Sequence, residues 1–100
     1  MAKLKIQQVI SLGEGNSIFV GEVIRGPLRV EMSVKIEDKT FTIVEIEKQN
    51  KIINEALQGD IIAITIKQKG FQKESLFKKI FLNKNRKTNF DIEGKILDFS

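Results

Sequence analysis

From Lys3 to Ile66 the apolar residues recur at every second position, and β-branched Ile and Val dominate them. Successive side chains of an extended chain point to opposite faces, so this period gives each segment one apolar and one wet face, as half-buried strands require. The clearest run is Asp60 to Lys67, where Ile62, Ile64 and Ile66 share the face expected to meet the core and Ile61, Ala63 and Thr65 share the other. Val30, Met32, Val34 and Ile36 make a second stripe, with Glu31, Ser33 and Lys35 outward, and Leu4 and Ile6 begin a third. Ile18 to Ile24 make a fourth, interrupted by Gly21, a position that predicts a bulge or a sharp barrel corner. Phe41 to Ile46 begins on one alternation and ends on the other, which predicts a bulge near Ile43.

Turn signals punctuate these runs at Gly13-Glu14-Gly15-Asn16, Arg25-Gly26-Pro27, Glu37-Asp38-Lys39 and Gln58-Gly59-Asp60. Many short strands with tight turns and almost no helix predict an all-β fold, a small antiparallel sandwich or barrel. Lys48 to Leu57 reads two ways: Ile52, Ile53, Ala56 and Leu57 have helical spacing, and a short loop with one turn of helix would bury them equally well. Asp91 to Phe99 returns to strand-like composition, with Ile92, Ile96 and Phe99 as expected core residues.

A chain of 100 residues suffices for one domain with its own core and is too short for two. It has no Cys and no His, which excludes a Cys/His zinc site, a Ser-His-Asp triad, a Cys nucleophile, thiol redox chemistry and a disulfide framework. No cofactor is expected, and only carboxylates, lysines and hydroxyls remain for chemistry. The longest apolar stretch falls far short of the ~20 residues that span a bilayer, and Met1 to Gln8 lacks the apolar region of a signal peptide. The expectation is therefore a cytoplasmic protein that does not enter a membrane.

The net charge of +4 hides an asymmetry. Lys67, Lys69, Lys73, Lys78, Lys79, Lys84, Arg86 and Lys87 stand against Glu74 alone, a local net of +7, while nine basic and twelve acidic residues leave −3 elsewhere. Within this arm Leu76, Phe77, Ile80 and Phe81 lie at i, i+1, i+4 and i+5, one helical stripe with lysines opposite, and Asn83 to Asn89 contains no apolar residue and reads as a loop. The chain thus divides into barrel or sandwich strands at 1–66 and 91–100 and a basic insertion at 67–90.

Ile6-Gln7-Gln8-Val9-Ile10-Ser11-Leu12 and Gly21-Glu22-Val23-Ile24-Arg25-Gly26, at their spacing and in the order of strands and turns, resemble the I-E-D-V-F-S-I and G-R-V-E-R-G of the second domain of translation GTPases of the elongation factor Tu family. Leu28-Arg29-Val30 with Val34-Lys35-Ile36 resembles its I-K-V-G-E-E-V-E-I, and Val44-Glu45-Ile46 its V-E-M. Gln58-Gly59-Asp60-Ile61-Ile62-Ala63-Ile64 resembles A-G-E-N-V-G-V, and Ile92-Glu93-Gly94-Lys95-Ile96-Leu97 resembles I-E-R-G-Q-V-L. The resemblance implies a closed antiparallel Greek-key barrel of six or seven strands, as a stand-alone copy of an accessory module. The family's acidic pair and aromatic that help hold the aminoacyl end of charged tRNA are matched by Gln7, Gln8 and Ile10, so the charge-assisted contact is lost and that activity is not carried over. No G-x-x-x-x-G-K-[ST] loop is present and Asn83-Lys84-Asn85-Arg86 lacks the final Asp of N-K-x-D, so no nucleotide hydrolysis is expected.

The eight cations of the arm, interleaved with Phe71, Phe77, Phe81 and Phe90, match the recipe for RNA contact, with phosphates met by Lys/Arg and bases stacked on aromatics. The same aromatics would equally pack on the barrel while the lysines solvate that face. A second reading makes Leu76, Phe77, Ile80 and Phe81 a docking stripe for a partner protein, such as a separate GTPase. Gly13-Glu14-Gly15 is expected to be a turn and not a phosphate loop, because Glu14 repels anions. The pairs Glu45/Glu47 and Glu37/Asp38 are read as solvated charges and not as metal or acid–base groups. Gly21, Gly26, Gly59 and Gly94 are assigned to backbone geometry at turns and bulges. The expectation is a non-catalytic binding module for RNA or a ribonucleoprotein such as the ribosome.

Overall fold

The computed structural model describes residues 1–13, 15–69 and 92–100. They form nine strands and, among the described residues, no helix: β1 (Ala2–Gly13), β2 (Asn16–Arg25), β3 (Leu28–Arg29), β4 (Ser33–Ile36), β5 (Lys39–Lys48), β6 (Lys51–Ile53), β7 (Glu55–Ala56), β8 (Ile61–Gln68) and β9 (Ile96–Phe99). β8 therefore runs two residues into the predicted insertion. The predicted stripe Leu76, Phe77, Ile80 and Phe81 lies outside the described residues, as do Lys73, Lys78, Lys79, Lys84, Arg86 and Lys87.

Six strands make an antiparallel barrel in the order β1-β2-β8-β5-β4-β9, with β9 paired back onto β1 from Ala2↔Phe99 to Lys5↔Ile96. The seam between β4 and β9 is joined by two backbone hydrogen bonds: the Ser33 N–H donates to the Ser100 carbonyl at 2.8 Å, and the Ser100 N–H returns to the Ser33 carbonyl at 3.0 Å. β4, β5 and β8 are successive neighbours and β9 returns beside β4, the connectivity of a Greek key. Closure pairs strand edges that an open sheet would leave to other chains.

The predicted inward stripes fill the barrel. Leu4, Ile6, Phe19, Val23, Ile43, Ile46, Ile64, Ile66 and Phe99 have no accessible surface, and Ala2, Val34, Ile36, Phe41, Ile62 and Ile92 are also buried. Each fully buried aliphatic or Phe side chain stabilises the fold by about 1.5–3 kcal/mol relative to exposure. At the end where β2 finishes and β8 begins, β3 and β7 form a two-residue ladder whose Leu28 and Ala56 are also fully buried.

The ladders shift register at four places among the described strands, and two of these shifts explain the sequence pattern. On β5 the register slips between Ile43↔Ile66 and Glu45↔Thr65, leaving Val44 as the extra residue where the sequence pattern changes phase. On β1 it slips between Ile6↔Gly21 and Gln8↔Val20, so Gln7 is extra, and the glycine in β2 sits opposite that bulge. A Cβ at Gly21 would be driven into the Lys5 carbonyl oxygen and lie 3.0 Å from the carbonyl carbon and 3.3 Å from Leu4 Cγ. The glycine is there because another strand's backbone occupies the space of a side chain.

Three expectations are corrected. Lys48–Leu57 contains no helical turn: β5 and β6 form a hairpin through Gln49 (φ 51°) and Asn50 (φ 64°), the paired positive φ of a type I′ turn. The helical spacing of Ile52, Ile53 and Ala56 arises from two short strands in succession. The Val30–Ile36 stripe is not one strand, because Glu31 at φ 80° breaks it and the Glu31 N–H and Met32 carbonyl are both bonded to Ile43; Val30 and Met32 pack only at the core's margin. Finally, Ile96 is 52% exposed, because β9 pairs as Leu4↔Leu97 and Ala2↔Phe99, turning Leu97 and Phe99 inward.

Candidate nucleic-acid interface

The barrel has two unlike ends. At one, the β1–β2 hairpin, the start of β5, the end of β4 and the end of β8 converge, and here the described part of the predicted basic arm is found. Lys67 lies on the outer face of β8, opposite Asn16 on β2 and Thr42 on β5. Thr42 is in turn opposite Ser33, and the two hydroxyls are 3.4 Å apart. This row therefore reads Ser33-Thr42-Lys67-Asn16 across four strands, entirely polar.

One step further out, the Lys69 N–H donates to the Thr40 carbonyl at 2.7 Å and Thr40 faces Lys35, giving a second row of Lys35, Thr40 and Lys69. Directly opposed side chains in antiparallel strands stand about 5 Å apart at Cβ, which places Lys35 and Lys69 about 10 Å from each other across Thr40. That is close to the Debye length at 0.1 M salt, so Lys35, Lys67 and Lys69 act on an approaching ion as one cluster. All three are exposed, and among the described residues none is in an ion pair. Lys39 is exposed in the same neighbourhood, and the adjoining turn carries Glu37 (φ 51°) and Asp38 (φ 69°), whose charges offset part of the field.

Lys67 and Lys69 are thus brought together, and Lys35 joins them from more than 30 positions away. Its signal in the sequence was the outward alternation on β4 combined with the tight Glu37-Asp38 turn, which fixes Lys35 opposite Thr40. Three of the described cations elsewhere are in ion pairs, whereas Lys5, Arg25, Lys51 and Lys95 are in none among the described residues. Lys3 meets Asp98 at 2.8 Å, Arg29 meets Glu55 at 2.9 Å, and Lys48 meets Asp60 at 2.8 Å. Asp60 also accepts the Leu57 N–H at 2.9 Å, and the Lys48 ammonium and this backbone donor hold its carboxyl below its usual value of 3.8. That constellation closes the Gln58-Gly59-Asp60 turn.

The other sequence-predicted positions fall as follows. Gln7 is the bulged residue of β1, and Gln8 and Ile10 face outward on the same strand. Gly13 and Gly15 both have φ 78° in the hairpin connection, and Gly15 accepts a hydrogen bond from the Gln68 N–H at 2.8 Å. Gly59 (φ 93°) and Gly94 (φ 85°) occupy left-handed turn positions, whereas Gly26 resembles Gly21 in lying against backbone, 3.0 Å from a built Cβ to the Gln58 nitrogen. Glu45 and Glu47 stand on the outer face of β5. Among the described residues no group of three or more Asp, Glu, Cys or His side chains is placed to hold a metal ion, and no helix is long and apolar enough to cross a membrane. Compared with models of known protein families, the chain matches none.

Proposed function

We propose that this barrel is a non-catalytic binding module that contacts RNA, or a ribonucleoprotein such as the ribosome, through its cationic end. The observation that carries the reading is the convergence of three lysines, Lys35, Lys67 and Lys69, in no ion pair among the described residues, beside a row of hydroxyl and amide side chains, at the point where the chain continues into its most cationic stretch. Lysines supply a point-charge attraction for phosphate, and hydroxyls and amides donate to phosphate and ribose oxygens without regard to base identity. The resemblance to the second domain of the elongation factor Tu family is consistent with this reading, as is a place in the cytoplasm with the translation machinery. The departures at Gln7, Gln8 and Ile10 direct the proposal away from the aminoacyl end of tRNA and toward backbone contact.

The test is recovery of partners from native lysate on the immobilised full chain, at low and high salt, with and without RNase. RNA that co-purifies at low salt, disappears with RNase and is lost from the K35Q/K67Q/K69Q variant supports the proposal. Recovery of no RNA from wild type at low salt, or equal recovery by the variant, contradicts it.

A further inference from the structure

We propose that the outer face of β2 and β8 is a docking site for a cationic amphipathic helix of a partner protein. On this face Ile10 stands opposite Ile18 and Val20 opposite Ala63, while Ile61 lies two residues before Ala63 on β8 and so on the same side. Ile61 is 59% exposed and Ile10 39%; Ile52, opposite Glu47 on β6, is 60% exposed. In an antiparallel barrel with a filled core the outward positions are ordinarily polar, and neighbouring exposed aliphatics mark an interaction surface.

The charges around this strip choose its occupant. Glu45 and Glu47 of β5 border it, opposite Thr65 and Ala63, and Glu22 of β2 lies between Lys5 and Ile61. None of the three carboxylates is in an ion pair among the described residues. Lys5 stands opposite Glu22 and Lys67 closes the far end of the β8 face, so the attraction for Lys and Arg is set by Glu45 and Glu47 along the β5 border, the opposite preference to that of the cluster at the barrel's end. Strands are spaced about 4.8 Å apart and a helix with its side chains is about 10 Å across, so one helix covers two to three strands. Apolar residues at i, i+3, i+4 and i+7 would lie on Ile18, Val20 and Ile61, and flanking cations would reach Glu45 and Glu47.

The test uses the full chain and two designed 16-residue helical peptides of identical Leu pattern, one with Lys on the flanks and one with Glu. Binding is followed by fluorescence anisotropy and by amide NMR shifts. The expected result is that the Lys peptide binds at least ten-fold more tightly than the Glu peptide, with shifts confined to Ile10, Ile18, Val20, Ile61 and Ala63. In the E45K/E47K variant that order reverses, and Glu45→Gln alone, which leaves the strand ladder unaltered, weakens the Lys peptide about two- to three-fold. Equal binding of both peptides, binding of neither, or indifference to E45K/E47K overturns the proposal. Two further outcomes overturn it by naming another occupant. One is concentration-dependent self-association that shifts the same resonances without peptide. The other is peptide binding that arises only after Leu76, Phe77, Ile80 and Phe81 are all replaced by Ser, which would make the chain its own ligand.

Discussion

Replacing Gly21 with Ala tests how the β1–β2 pairing is built. The added methyl would meet the Lys5 carbonyl oxygen far inside van der Waals contact, and it would also press on the Lys5 carbonyl carbon at 3.0 Å and Leu4 Cγ at 3.3 Å. The obstacle is backbone, so no rotamer change relieves it, and β1 has to move by about 1 Å to restore ordinary contact. Lys5 pairs with both Glu22 on β2 and Ile96 on β9, and Leu4 is fully buried, so the shift disturbs two ladders and the core together. Two weakened hydrogen bonds at about 1 kcal/mol each and about 1 kcal/mol of repacking give a loss of about 3 kcal/mol. For a domain of this size that lowers Tm by about 12–24 °C. Urea unfolding, read as a change in midpoint at constant m, measures it. Gly94→Ala is the control: its Cβ meets nothing within 4 Å, so only the positive φ of 85° is penalised, by about 1–2 kcal/mol. A Gly21→Ala protein within about 0.5 kcal/mol of wild type, or one more stable than Gly94→Ala, would refute the close-approach argument.

Two other outcomes follow from local geometry. Because Lys48 and the Leu57 N–H lower the Asp60 pKa in the folded state, the contribution of Asp60 is present above its unfolded value of 3.8 and lost as pH falls through the lower folded value. Stability measured from pH 5 to pH 2 should therefore fall less steeply in Asp60→Asn than in wild type, and parallel curves would contradict the assignment. The type I′ turns at Glu37-Asp38 and Gln49-Asn50 use residues less suited to positive φ than Asn-Gly. Replacing either pair with Asn-Gly should raise stability by about 0.5–2 kcal/mol in urea titrations, and a decrease would show that the native side chains have another role.

Much of the fold was legible because burial is periodic. Ile62, Ile64 and Ile66, the phase change near Ile43 and the glycine at 21 each left a mark that the barrel explains. What escaped were two of the places where a non-glycine residue adopts positive φ, although the Glu37-Asp38 turn was legible. Glu31 ends a stripe that alternation alone would continue, and Gln49-Asn50 makes a hairpin from residues with no Gly to announce it. Ile96 was misplaced because a four-residue strand has too few positions to fix its phase; only pairing with β1 decides it. The basic site was half legible. Local charge density revealed Lys67 and Lys69; the outward alternation on β4 and the Glu37-Asp38 turn place Lys35 opposite Thr40, and only the long-range β5–β8 pairing brings it to the site.

The central claim, that phosphate is met by the cationic end of the barrel, is tested most directly by the salt dependence of RNA binding. With about five cations engaged on single-stranded RNA, log K should fall against log salt with a slope near −3.5, each neutralised phosphate contributing about 0.7. Replacing Lys35, Lys67 and Lys69 with Gln removes three of those contacts and should bring the slope to about −1.4. A flat wild-type dependence, or a slope unchanged in the triple variant, would contradict the account.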